Sequence, residues 1–428
     1  MKTKRLIGLL VVGFILSGPS PMLRARSFIN LAHLNHLYDR LKMANGDSLS
    51  VIYIYSEFPD YRPVEAKGEG VACVDDMARA AVTYLHYGLN YHDKQALARS
   101  RALIRSILKF QATNGCFYNF LRKDGKIEKQ NRNSRPLADW WTWRAFWALA
   151  EYGFYRAHDE PVLAGQIKKA VYRILPNVKN LWANGMPYTE KAGFRLPLFL
   201  PQKYGADQAS VLLKALSKMY QWTKDSLLLA LMNPLAQGIM AMQIRDVQSA
   251  ANGLFLSWQN YWHAYGNSQA DALLDYFSVT GDSSALSAAL YEIDTFYPYL
   301  MKIGYLRSLT LRRHGRRVFV EKRLRFEQIA YDFRPMIWAC LHAYRVMGKK
   351  KYARQAASLA GWFFGKNSAH AVMYQVQTGR CFDGIVSAHS VNRNAGAEST
   401  IEALLSLMAI EQNPVSRHAL NRLIHETK

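Results

Sequence analysis

"VDDMARAAVTYLHYGLNYHDKQALARSRALIRSI", residues 74–107, carries two helical patterns on either side of one short polar turn that ends at Asp93. Apolar residues recur at helical spacing before and after the turn, so the stretch reads as a helical hairpin. The same unit returns along the chain. Comparable turns stand at "RAHDE" (156–160), "QWTKD" (221–225), "VTGD" (279–282), "VMGKK" (346–350) and "EQNP" (411–414), which makes six hairpins. Each first helix opens on an acid: Asp75 with Asp76, then Asp139, Asp207, Asp271, Asp332 and Glu398. Counting from Asp76, the acids are 63, 68, 64, 61 and 66 residues apart.

Open solenoids usually have shorter repeats, of roughly 30 to 47 residues, with short loops. Here the links between hairpins are long, and some look strand-like, as in "GLFLSWQNYWHAYG" at 253–266. The expectation is therefore an all-α fold, a closed (α/α)6 toroid of six helical hairpins forming one domain over residues 21–428. Inner-helix N-termini and long loops then share one mouth. A small β-hairpin is expected in "RSLTLRRHGRRVFVEKRLRF" (307–326), around His314-Gly315.

The 428 residues are half apolar, with 10 Trp, 25 Tyr and 19 Phe, enough to fill a large core. The first 21, "MKTKRLIGLLVVGFILSGPSP", run from a basic start through eleven apolar residues to helix breakers. That order predicts a bacterial secretory signal or N-terminal anchor over residues 1–20, and so an extracytoplasmic protein. The net charge of +23 draws anionic partners. Export excludes nucleic acid and leaves acidic polysaccharide, an anionic envelope polymer or a membrane surface. Eight Lys/Arg between Arg307 and Arg325, among them Arg312, Arg313, Arg316 and Arg317, form the densest basic cluster.

Cys73, Cys116, Cys340 and Cys381 form no Cys-x-x-Cys pair, which argues against a zinc or redox site. An exported compartment allows a disulfide, but nothing selects a pair. His-Glu-x-x-His, Gly-x-Ser-x-Gly and phosphate-binding glycine motifs are absent, so no metal or cofactor is called for.

Any one of the acids is explained as a helix cap or a first-turn charge. Six brought to one mouth repel one another, and some become harder to ionise, which is how acid and base roles separate. Asp75 and Asp76 exceed what one cap needs, and Arg79 lies one turn on from them. Trp140, Trp143 and Trp147 read as a buried stripe. Trp258 and Trp262 lie in a loop and can offer a face to a sugar ring.

These features resemble the six-hairpin glycosidase superfamily. More closely, "CVDDMARA" (73–80), "WFFGKN" (362–367), "TGRCFDGI" (378–385) and "VNRNAGAEST" (391–400) resemble a bacterial helical domain sometimes fused behind glycosyltransferase domains. With no nucleotide-sugar-binding domain ahead of it, the chain is expected to be the helical unit alone, and transferase activity is not implied. The expected function is hydrolysis of an extracytoplasmic, anionic polysaccharide or oligosaccharide. Glu398 is assigned as acid and Asp76 as base, with Asp332 and Asp75 next. Asp139, Asp207, Asp271, Trp258 and Trp262 are expected to bind substrate, and Asp383, Asn392 and Asn394 to bind hydroxyls or position Glu398. Tyr331, His263 and His389 keep a polysaccharide lyase or uronate epimerase open. A non-catalytic polysaccharide-binding toroid is the third possibility.

Overall fold

In the computed structural model, residues 27–43, 46–66 and 68–425 are described, so the expected signal segment lies outside the described residues. A short helix α1 (Ala32–Leu37) precedes the six hairpins. They are α2/α3 (Val74–Tyr91, Lys94–Leu108), α4/α5 (Trp140–Arg156, Pro161–Lys179) and α6/α7 (Ala206–Thr223, Ser226–Ala241). The remaining three are α8/α9 (Gln269–Thr280, Ser283–Ile303), α10/α11 (Ala330–Met347, Lys350–Ala360) and α12/α13 (Ala397–Glu411, Pro414–His425).

The first helix of each pair contacts the first helix of the next, and α12 returns to α2, closing the inner ring. Burial follows this arrangement. Inner α4 is buried without a break from Trp141 to Gly153, as a helix with neighbours on every side must be. Outer α3 buries only a stripe, at Ala96, Ser100, Leu103, Ile104, Ser106 and Ile107, and turns most of its charged residues to solvent.

All six polar turns separate helices where the sequence placed them, and their chemistry explains why. His92, Lys224, Gly281 and Gly348 take left-handed conformations that end α2, α6, α8 and α10. The side chains of Asp93, Asp225 and Asp282 then accept backbone N–H groups to start α3, α7 and α9. Pro161 starts α5, where its missing N–H costs nothing.

The links from outer to inner helices lie on the opposite face, with short strand pairs. The longest pair, Ser308–His314 with Arg317–Leu324, turns at Gly315, and Tyr261–His263 joins it as a third strand. All four cysteines are buried free thiols. No helix among the described residues is long and apolar enough to cross a membrane.

Candidate active site

The "VNRNAGAEST" segment is drawn into the mouth by backbone pairing: Ala395 and Ala397 donate to the carbonyls of Ser56 and Ile54. This lays α12 beside α2. A cleft of about 360 Å³ opens between them, lined among others by Tyr55, Asp75, Asp76, Arg79, Tyr331, Asp383 and Glu398.

Arg79 is its hub, with a side chain 3% exposed. One terminal nitrogen donates to Glu398 Oε2 at 2.8 Å and Glu402 Oε1 at 3.2 Å. The other donates to Asp76 Oδ1 at 2.6 Å and lies 3.6 Å from Asp75 Oδ2. Four carboxylates thus share one guanidinium. Arg144 donates to Asp75 and, at 2.9 Å, to the Tyr331 hydroxyl. Arg334 pairs with the buried Glu402. The guanidinium carbons of Arg79, Arg144 and Arg334 stand 5.2–5.4 Å from the centre of the Tyr331 ring. Gly266, at φ +67°, passes over this ring, where a Cβ would sit 3.2 Å from the Tyr331 hydroxyl.

The carboxyls differ in character. Burial pushes Asp76 up to about 6, with Asp75 and Glu398 adding to the rise against the pull of Arg79. Burial also raises Asp75, but Arg144 and Arg79 outweigh it and hold Asp75 below the usual carboxylate range. Asp383 is raised, first by burial and then by Glu398. Its Oδ1 accepts from Gly396 N at 2.8 Å and Ser399 Oγ at 2.6 Å. Asp332 is raised well above the usual carboxylate range by burial, while its Oδ2 accepts Ile329 N at 2.9 Å. Glu398 caps nothing. No side chain caps α12, and the Glu398 side chain is 43% exposed to the cleft.

The other expected site residues divide. Asp139 caps α4 through Trp140 N and accepts from Gln208, and burial raises it, with Asp75 and Asp207 adding to the rise. Asp207 holds buried His263, Oδ2 to Nε2 at 2.9 Å, while His263 Nδ1 meets Tyr265 O at 2.7 Å. With both nitrogens engaged, His263 has no free position for substrate. His389 is exposed on the Gly384–Asn392 hairpin. Asn392 accepts Asn394 N, and Asn394 accepts Phe58 N at 3.0 Å; both shape the loop beside the cleft without lining it. Trp258 is 40% exposed on the mouth face.

Two expectations need correction. Trp262 is fully buried, edge-on to Phe296 at 5.0 Å, because its short strand is covered by the basic hairpin. Asp271 does not reach the mouth. It opens α8 level with Lys214 and His342, which lie well inside α6 and α10, so its carboxylate turns into a cavity of about 500 Å³ at the far end of the ring. There Lys214 donates to Asp271 and, at 2.8 Å, to Asp275. Asp271, Asp275 and His342 have the composition of a metal site, but the Lys214 ammonium already bridges both carboxylates.

Glu402, Arg144 and Arg334 were not singled out from the sequence. Their signal was present: Glu402 is one turn beyond Glu398, and three inner helices carry an arginine shortly after their acid, at 79, 144 and 334.

Neither a protein-family model nor a curated protein sequence matches the chain. Among solved structures it is similar to a cellobiose 2-epimerase from Bacillus thermoamylovorans B4167, with 13% identity, TM-score 0.59, and coverage of 89% of this chain and 95% of that one. A sugar epimerase from a ruminal bacterium shows 10% identity and TM-score 0.60, covering 89% and 95%. A family 76 glycoside hydrolase from a bovine Bacteroides thetaiotaomicron strain shows 13% identity and TM-score 0.55, covering 91% and 78%. At such identities the likeness is one of fold: this chain is an (α/α)6 toroid, as those enzymes are.

Proposed function

We propose that the chain is a carbohydrate-active enzyme, a glycoside hydrolase whose cleft cuts a glycosidic bond between Asp383 and Glu398. One observation carries this reading: two carboxyls of opposite character line the same cleft. Glu398 is paired with Arg79 and open to solvent, as a base or nucleophile must be. Asp383 is raised by burial, as a proton donor must be. Because Asp383 Oδ1 is committed to Gly396 and Ser399, the proton sits on Oδ2, from which it passes to the leaving oxygen. Glu398 then activates water or attacks the anomeric carbon. This moves the acid role from Glu398 to Asp383. Asp76, only 3% exposed, becomes a positioning group that orients Arg79.

The saccharide substrate class is supported by the sugar-handling enzymes among the solved neighbours. An acidic, extracytoplasmic polymer is supported by the +23 charge and the basic-apolar N-terminal run. The test is turnover on a panel of acidic and neutral polysaccharides, followed as release of reducing ends, in wild type and in the Asp383→Asn and Glu398→Gln variants. Loss in both variants is expected. Unchanged turnover in Asp383→Asn would remove it as the acid.

A second reading is proton transfer at carbon, as in an epimerase or lyase. It is favoured by Tyr331, whose hydroxyl accepts from Arg144 within a cage of three guanidinium groups. Turnover in D2O separates the two. Deuterium on sugar carbon or an unsaturated product selects this chemistry, and new reducing ends with neither exchange nor unsaturation select hydrolysis. Binding with no turnover of either kind selects the non-catalytic toroid.

A further inference from the structure

Apart from the catalytic cleft, a pocket of about 350 Å³ is lined by three arginines, Arg195, Arg245 and Arg313. They come from three successive links between hairpins. Arg195 lies on the strand Phe194–Pro197, Arg245 follows α7, and Arg313 lies on the strand Ser308–His314. Every one of these links runs from an outer helix to the next inner one, so the pocket opens on the mouth side.

Its parts are held in place. Arg313 N donates to Ala192 O at 2.9 Å, and beside it Gly193, at φ +78°, leaves room where a Cβ would fall 2.1 Å from the Arg313 carbonyl. Each guanidinium lies against a ring: Arg195 at 4.2 Å from the centre of Tyr188, Arg313 at 5.0 Å from Phe194 and Arg245 at 4.9 Å from Tyr291. Stacking of this kind fixes the guanidinium plane and leaves edge N–H groups to donate. Among the described residues, no carboxylate lines the pocket, and the buried Nε of Arg313 has no hydrogen-bond partner. Of the three, Arg245 donates to the neutral Gln243 at 2.8 Å, whereas the neighbouring arginines find carboxylates. Arg312 pairs with Glu321, and Arg317 with Asp246 and Gln248. Three cations that share a pocket with no carboxylate in its lining repel one another, and a bound anion relieves that cost.

We propose that this pocket binds an oxyanion. The fork of N–H groups suits a carboxylate, sulfate or phosphate, whether carried on an acidic saccharide chain or free in solution. The site stands on its own residues and needs no catalysis, so binding tests it whatever the fate of the hydrolytic reading.

The experiment is calorimetric titration of the full chain with inorganic phosphate, an oligogalacturonate and a neutral oligosaccharide of equal length. The comparison is with an Arg195→Gln/Arg245→Gln variant, both positions being exposed, with thermal melting to confirm that it folds. At least one anionic probe is expected to bind wild type, to lose tenfold or more in the variant, and to become less sensitive to salt. Preference for the oligogalacturonate assigns the anion to a saccharide chain, and preference for phosphate assigns it to the free ion. Failure of both anions to bind wild type, or equal binding by the variant, overturns the proposal.

Discussion

The two ends of the ring solve the same electrostatic problem in different ways. At the far end, Lys214 bridges Asp271 and Asp275, His342 closes on both, and Lys218 stands 3.7 Å from Glu151. Charges there are matched. Burial raises Asp271, but Lys214 and His342 win and hold it far below the usual carboxylate range. At the mouth, Arg79 serves four carboxylates at once, and Asp76, Asp383 and Asp332 are all raised. Matched charge favours one fixed ionisation state and serves the fold. Unmatched charge keeps protons close to transfer, at a cost in stability that a purely structural site has no reason to carry.

The comparison breaks first at Arg79. Replacing it with Met leaves Asp76 buried without its countercharge and Glu402 with Arg334 alone, so stability should fall by about 3–5 kcal/mol and turnover should vanish. Urea unfolding measures the first effect and a reducing-end assay the second. Asp271→Asn should cost less, about 1.5–3 kcal/mol, because Asp275 remains to hold Lys214, and turnover should be unchanged. A fall in turnover to match Arg79→Met would erase the distinction between the two ends.

The pH dependence of stability sharpens it. Asp271 has a folded-state value below its unfolded one near 3.9, so its stabilisation is present above about pH 4 and lost as pH falls. The stability gap between wild type and Asp271→Asn should therefore close on acidification. Asp76 has the opposite sign. Raised to about 6, it weighs against the fold as pH rises from about 4 to about 6, so Asp76→Asn should gain on wild type over that window. Chemical denaturation at a series of pH values tests both, and parallel slopes would contradict the contrast. The smallest effect is expected at the rim. Trp258→Ala should raise KM by about three- to tenfold and leave kcat level, the scale of one aromatic contact.

Much of this was legible in the sequence where local chemistry decides it. Asp93, Asp225 and Asp282 announce helix starts by themselves, and an acid every 60-odd residues marks the inner helices. What a side chain meets across the ring is a matter of register between distant elements. Asp271 opens its helix like the others, yet α8 begins level with the interior of α6 and α10, which no local pattern in 253–268 discloses. Trp262 was misplaced for a similar reason: its burial depends on pairing with residues 308–310. The shared guanidinium at Arg79 joins residues more than 300 apart in sequence, so spacing within α2 could pair it only with Asp75 or Asp76. Asp383 was legible as a neighbour of Glu398, but not as the more buried partner on which the acid role now rests.

Glu398→Gln is the most direct test of the claim that the mouth does chemistry. The amide keeps the side chain's shape at a half-exposed position, so the melting temperature should hold to within the effect of about 1 kcal/mol that such a pair contributes. Turnover should fall by roughly 100-fold or more. Turnover at the wild-type level, with a slightly lowered melting temperature, would show that Glu398 is only a charge on the first turn of α12 and would contradict the account.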